Sequence, residues 1–229
     1  MTDQKDYKYW YEKALEVIKP GSISPFIDEY LAYSLKLNPY QTDSWILYAG
    51  YHNTLSNNDK VVEIINDLFR FKSKKGETGN PIEFIMNKIK YYTNREPPIE
   101  HNSRERFPDT EYSIRYCGEW LIAAVGYWKE SKFDAALGAF EKSFSYPLNK
   151  NRAILWYIHL EESYKKGEYK KAIEAGEKAV ELDPKFNYAW VKLSEVYISN
   201  KDYNNAMNCI EAALKNNEIF EPAIKLKEE

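Results

Sequence analysis

Trp156 and Trp190 lie 34 residues apart, and so do Tyr169 and Tyr203, Ala172 and Ala206, and Ala179 and Ala213. Four pairs at one spacing mark a unit that recurs along the chain, and a period of this size belongs to arrays of small supersecondary units. Upstream, Trp120, Phe133 and Ala136 lead Trp156, Tyr169 and Ala172 by 36 residues. That is the same unit with two residues added, which we place in Pro147-Leu148-Asn149-Lys150. A fainter copy lies further upstream. Leu37-Asn38-Pro39 precedes Trp45 by the same six-residue step, Pro to Trp, as Leu182-Asp183-Pro184 precedes Trp190, and Tyr11 lies 34 before Trp45. Trp45 to Trp120 is 75 residues, so a degenerate unit is expected between them, over 76–116.

Each unit reads as two helices. Trp190, Leu193, Val196 and Tyr197 fall at helical spacing. Asn200-Lys201-Asp202 interrupts the pattern, and Tyr203, Ala206, Met207, Ile210, Ala213 and Leu214 resume it. In the preceding unit the break is Lys165-Lys166-Gly167-Glu168, where Gly167 suits a helix C-terminus. Pro184 then stops the second helix. An amphipathic hairpin of this kind covers only one of its two apolar faces, and stacking the next hairpin covers the other. The recurrent Trp fills the space between the paired helices, and the alanines at 172, 179, 206 and 213 let backbones approach.

These positions resemble the tetratricopeptide repeat, whose pattern runs large aromatic, Leu-Gly, Tyr, Ala, aromatic, Ala, Pro. Trp190, Leu193, Tyr197, Ala206 and Ala213 match it, with Ser194 in place of the Gly and Glu218 in place of the Pro. Trp156, Ala172, Ala179 and Pro184 match, with His159 and Leu160 at Leu-Gly and Ser163 at Tyr. Trp120, Tyr127, Ala136 and Phe140 match, with Ala123 and Ala124 at Leu-Gly. The resemblance implies an all-α fold, a right-handed superhelical solenoid of antiparallel helix pairs. Its units would be two degenerate hairpins over 1–75, a degenerate unit over 76–116, three repeats at 117–152, 153–186 and 187–219, and the start of a further helix at 220–229.

The remaining features exclude more than they assign. Net charge is −3, with 32 basic against 35 acidic residues, so there is no basic field for nucleic acid or an anionic membrane. No apolar run approaches the length of a membrane-spanning helix, and the polar N-terminus carries no signal-peptide pattern. Cytoplasmic localisation is therefore expected. Cys117 and Cys209 are the only cysteines, which gives neither a disulfide framework nor a metal pair. Lys72–Gly79 lacks the Gly-Lys-Ser/Thr of a phosphate loop. His52 falls on the repeat's Tyr position and His159 on its Leu position, which makes both core groups. His101 lies in the irregular stretch 94–109, rich in proline and charge, which reads as a solvated loop with a lid over the groove as the alternative. No cofactor and no metal is expected.

The family uses the first helix of each hairpin to line a concave face that binds a peptide or a helix. Carried over, that face comprises Leu121, Ile122, Val125 and Trp128, then Tyr157, Ile158, Glu161 and Tyr164, then Tyr188, Lys192 and Glu195. Chaperone-tail receptors of the family clamp a carboxylate with Lys, Asn and Arg at these places. Only Lys192 fits that pattern, so such a receptor is not expected. An aromatic groove with Glu161 and Glu195 suits an apolar or mildly basic segment. The expected function is a protein-interaction scaffold without catalytic activity. The alternative is a helical module of a larger, carbohydrate-handling enzyme, since aromatic grooves also stack sugars. Burial of the groove residues by the chain itself, or self-association into a homodimer through the same patch, would also cover this surface.

Overall fold

The computed structural model describes residues 6–18, 24–70, 81–82, 84–86, 111–143 and 152–228. The stretch 94–109, with His101, lies outside them. The chain divides into two compact units, Met1–Lys150 and Asn151–Glu229. Unit 1 contains α1 (Tyr7–Val17), α2 (Phe26–Leu37), α3 (Thr42–Thr54), α4 (Asn58–Arg70), α5 (Glu111–Lys129) and α6 (Phe133–Ser143). Unit 2 contains α7 (Ala153–Lys165), α8 (Tyr169–Leu182), α9 (Asn187–Ser199), α10 (Tyr203–Asn216) and α11 (Glu221–Glu228). Among the described residues there is no strand. Helices pair as successive hairpins: α1 with α2, α3 with α4, α5 with α6, α7 with α8, and α9 with α10.

Four of these hairpins close in the same way. Ser56, Ser131, Gly167 and Lys201 have positive φ, at 56°, 58°, 74° and 61°. Each stands eleven residues after a tryptophan: Trp45, Trp120, Trp156 and Trp190. The next backbone N–H in each case reaches back five residues. Asn57 N–H donates to His52 O at 3.0 Å, and Lys132 to Tyr127 O, Glu168 to Ser163 O and Asp202 to Tyr197 O at 2.9 Å. This is a left-handed helix terminus that satisfies the orphan carbonyls of the first helix and turns the chain into the second. Only one of the four positions is glycine.

The link from one unit to the next also recurs. Asn38, Asp183 and Asn217 each accept the N–H two residues on with a side-chain oxygen, Tyr40 and Lys185 at 3.1 Å and Ile219 at 3.2 Å. Such Asx turns compete with helix and end it. The six-residue step from Pro to Trp has a direct cause. The indole N–H of Trp45 donates to Pro39 O at 2.8 Å, and that of Trp190 to Pro184 O at 2.9 Å. The tryptophans are not all core residues as the repeat pattern implies. Trp45 is buried, but Trp120, Trp156 and Trp190 are half-buried. Lys142 and Lys178, both 22 residues after their tryptophan, lie over the Trp120 and Trp156 rings at 4.1 and 4.2 Å from the centroids. An ammonium over the open ring face adds a cation–π attraction where a core would add burial.

In unit 1, α3 is buried on all sides from Ser44 to Thr54, packed by α2, α4 and α5. Its contact with α5 is a backbone crossing. A methyl group added at Gly50 would stand 1.8 Å from Ile114 O, and one added at Gly118 would stand 1.8 Å from Ile46 O. At the α3 C-terminus, Asn53 Nδ2 donates to Ser143 O at 2.9 Å, joining α3 to α6 across 90 residues of sequence. Lys129 Nζ donates to Leu68 O at 3.2 Å and Phe69 O at 3.0 Å, a cation on the last carbonyls of α4.

In unit 2, successive helices stack as α7, α8, α9, α10 and α11. Leu160 holds the place of the pattern's Gly, and Gly176 the place that Phe140 and Ile210 fill in the neighbouring units. The exchange balances in volume. A methyl group at Gly176 would meet Leu160 Cδ1 at 2.5 Å and Leu193 Cδ1 at 2.7 Å. Leu160 is fully buried, so the large side chain has moved from one helix of the pair to the other.

Two stability changes follow. Gly118→Ala forces a Cβ against a carbonyl that no rotamer can move, and should cost about 3 kcal/mol in a denaturant titration of the chain. Lys201 is exposed and left-handed. Lys201→Gly should therefore raise stability by about 0.5–1 kcal/mol, since a non-glycine residue is strained there. A lower melting temperature for Lys201→Gly would contradict the turn assignment.

Candidate functional site

The first helices of the unit 2 hairpins, α7 and α9, bring five of the sequence-derived groove residues together. Tyr157 OH donates to Glu161 Oε1 at 3.0 Å. Lys192 Nζ lies 3.2 Å from Glu161 Oε1 and 2.7 Å from Glu195 Oε2. The same ammonium stands 5.8 Å from the centroid of the Tyr164 ring. Tyr164 OH is 2.9 Å from Ser199 Oγ, which ties α7 to α9 a second time. Lys165 lies at the rim, 3.7 Å from Glu161 Oε2 and mostly exposed.

The charges on this face are largely committed. Burial acts to lower the Lys192 pKa, but Glu161 and Glu195 together outweigh it and the ammonium is held above its ordinary value. Burial, and then the Glu161 charge, raise Tyr157 well above the usual tyrosine value, so it remains a hydrogen-bond donor. Lys192 cannot also clamp a partner's carboxylate without giving up two of its own. Lys192 with Glu161 and Glu195 leaves one net negative charge.

The other groove residues are in the core, except Tyr188, which is half-buried. Leu121, Ile122 and Val125 are fully buried in unit 1, and Trp128 is buried between Phe69 of α4 and Phe140 of α6, at centroid distances of 5.4 and 6.3 Å. α5 packs on α3, α4 and α6, which leaves that face no open side. Ile158 is fully buried. Tyr157 is buried against Phe186, 5.2 Å between centroids. Tyr188 meets Phe220 edge-on at 5.0 Å, in a cluster with Val191, Ala213 and Ala223. These tyrosines therefore pack one helix pair against the next, and the side chains left at the surface of the face are Glu161, Tyr164, Tyr188, Lys192 and Glu195, all half-buried. Phe186 and Phe220 are themselves 34 residues apart. That spacing was the signal that each covers a tyrosine on the preceding first helix. Ser199 had no such signal.

In unit 1 the buried His52 is the most acid–base-like group. His52 Nε2 is 2.9 Å from Asp28 Oδ1 on α2, and Nδ1 is 3.5 Å from Asn57 Nδ2. Tyr48 and Tyr51 meet the ring edge-on at 4.8 and 5.0 Å. Its counterpart in unit 2 explains it. Tyr197, at the same repeat position, donates to Glu177 on the preceding second helix at 2.8 Å. A polar group of a first helix bonded to a carboxylate of the previous second helix is thus a packing device of the repeat. His159 is half-buried beside Trp156, 5.7 Å between ring centroids, and Leu160 takes the core place expected of it. Burial raises the Cys117 and Cys209 thiols to about 12, which makes both inert. Among the described residues no group of three or more His, Cys, Asp or Glu converges on a point, and no helix is long and apolar enough to cross a membrane.

Burial lowers the His52 pKa from its ordinary 6.5, more than Asp28 raises it. Between the folded and the ordinary values the unfolded chain binds more protons, so stability rises with pH there. The contribution is complete above the ordinary value and is lost as pH falls below it. Melting the chain at about pH 7 and about pH 5 should show a loss that is smaller in His52→Tyr. An equal loss in both would remove His52 as its source.

Residues 153–186 and 188–220 match the tetratricopeptide repeat model. No curated protein matches the sequence. Among solved structures, that of MamA is similar over 84% of this chain and 87% of its own, at 15% identity and a TM-score of 0.38. The APC/C hetero-tetramer Cut9-Hcn1 is similar over 100% of this chain and 43% of its own, at 14% identity and a TM-score of 0.44. The two hairpins α7/α8 and α9/α10, closed by the same turns, are the parts of the chain that match the tetratricopeptide repeat model.

Proposed function

We propose that this protein is a non-catalytic scaffold whose unit 2 binds an apolar or mildly basic segment of another protein across the α7/α9 face. The observation that carries this reading is the disposition of Lys192. The one cation at a clamp position is spent on Glu161 and Glu195, so the centre of the face offers a ring, Tyr164, and one unbalanced carboxylate, with Lys165 opposing it only from the exposed rim. An extended or helical segment with a lysine or arginine beside an apolar anchor complements it. A terminal carboxylate does not. Tyr157 acts beneath this surface by holding its helices together, and Tyr188 stands half-buried on Phe220 at its edge.

The test is a peptide array of basic-apolar, acidic-apolar and carboxylate-ended sequences, read against the wild type and Glu195→Gln. Basic-apolar peptides should be selected. Their affinity should fall about fivefold in Glu195→Gln, which keeps the shape of a half-buried side chain and leaves Lys192 paired with Glu161, while the far-ultraviolet circular dichroism spectrum holds. Selection of acidic or carboxylate-ended peptides, or indifference to Glu195→Gln, would refute the reading.

A further inference from the structure

α2 has two apolar faces. Ile27, Leu31, Ser34 and Leu35 are buried, with α1 and α3 packed on the helix. On the other side run Phe26, Tyr30, Tyr33 and Leu37, at steps of four, three and four residues. Phe26, Tyr33 and Leu37 are 54%, 42% and 52% exposed. The rings are held in place. Trp10 of α1 stacks on Tyr33 at 5.0 Å and 23°, and Phe26 stacks on Tyr30 at 6.1 Å and 18°. An outward helix of a hairpin array is ordinarily polar. This one instead presents an apolar stripe with the 4-3-4 spacing of a two-helix seam.

We propose that this stripe pairs with the same stripe of a second copy of the chain, antiparallel about a two-fold axis. The charges select both the partner and its direction. Glu29 and Lys36 are exposed, lie seven residues apart, and flank the seam on one side. With the axis midway between Tyr30 and Tyr33, Phe26 meets the partner's Leu37 and Tyr30 meets the partner's Tyr33. Glu29 then comes opposite the partner's Lys36, and symmetry makes this pair twice. A parallel pairing places Ile27 and Ser34 beside these charges and forms no ion pair.

Sedimentation equilibrium of the full chain tests this. A monomer–dimer equilibrium is expected below about 0.1 mM. Phe26→Ser/Leu37→Ser, which removes both ends of the seam at exposed positions, should weaken it about 30-fold with an unchanged far-ultraviolet circular dichroism spectrum. Glu29→Lys should weaken it about fivefold, and Glu29→Lys/Lys36→Glu should restore it. A chain that stays monomeric overturns the proposal. So does a dimer that persists in Phe26→Ser/Leu37→Ser, which pairs elsewhere, or a charge exchange that fails to restore association.

Discussion

A left-handed residue eleven positions after a tryptophan closes each of four hairpins, and the backbone bond that follows it fixes everything downstream. Because the N–H after Ser56, Ser131, Gly167 or Lys201 is bound to a carbonyl five residues back, the second helix has no freedom in where it starts. Its first inward residue is set, and with it the row of alanines that faces the first helix. Ala136, Ala172 and Ala206 are all buried. Strain at three of the four positions is tolerated because the alternative is a hairpin out of phase with its neighbours. Phase is what lets an apolar face of one pair meet an apolar face of the next.

Within that frame, volume is conserved while chemistry varies. At the repeat position of Gly176, Phe140 and Ile210 stand in the hairpins before and after it in the sequence, and Leu160 makes up the difference from the facing helix. Ser194 occupies the corresponding small-residue place one hairpin on, where its hydroxyl donates to Ala206 O at 2.9 Å. The α3/α5 contact solves the problem differently. It removes side chains on both helices, so that Gly50 and Gly118 lie backbone to backbone. Side chains that interdigitate can repack around a substitution, and backbones in contact cannot. The crossing in unit 1 is therefore the less forgiving of the two designs.

The helical hairpins were legible because the signals that specify them are local. Period, turn residues and Asx positions all act within a few residues, so spacing in the sequence becomes spacing in the fold. The candidate site was legible only in part, because its members depend on what covers them. The resemblance to the repeat family placed Glu161, Tyr164, Lys192 and Glu195 on one face. That Phe186 would bury Tyr157 and Phe220 would half-cover Tyr188 required knowing where the following helix begins. Leu121, Ile122, Val125 and Trp128 failed for another reason. α5 is a first helix by its register, but α3, α4 and α6 all pack on it. No periodicity in α5 itself reports neighbours so distant in sequence.

Two kinds of polar bond recur between the helix pairs. Where a polar side chain of a first helix is bonded to a carboxylate on the preceding second helix, as His52 is to Asp28 and Tyr197 to Glu177, the bond lies between elements of one stack and satisfies a buried group. Where the partners are both on first helices, as for Lys192 with Glu161 and Tyr164 with Ser199, the network runs along the side that the second helices leave uncovered. The same two repeats thus carry both kinds of bond. Lys192 is the hinge of that distinction. Its two carboxylates are half-buried with it and keep it charged against the cost of burial.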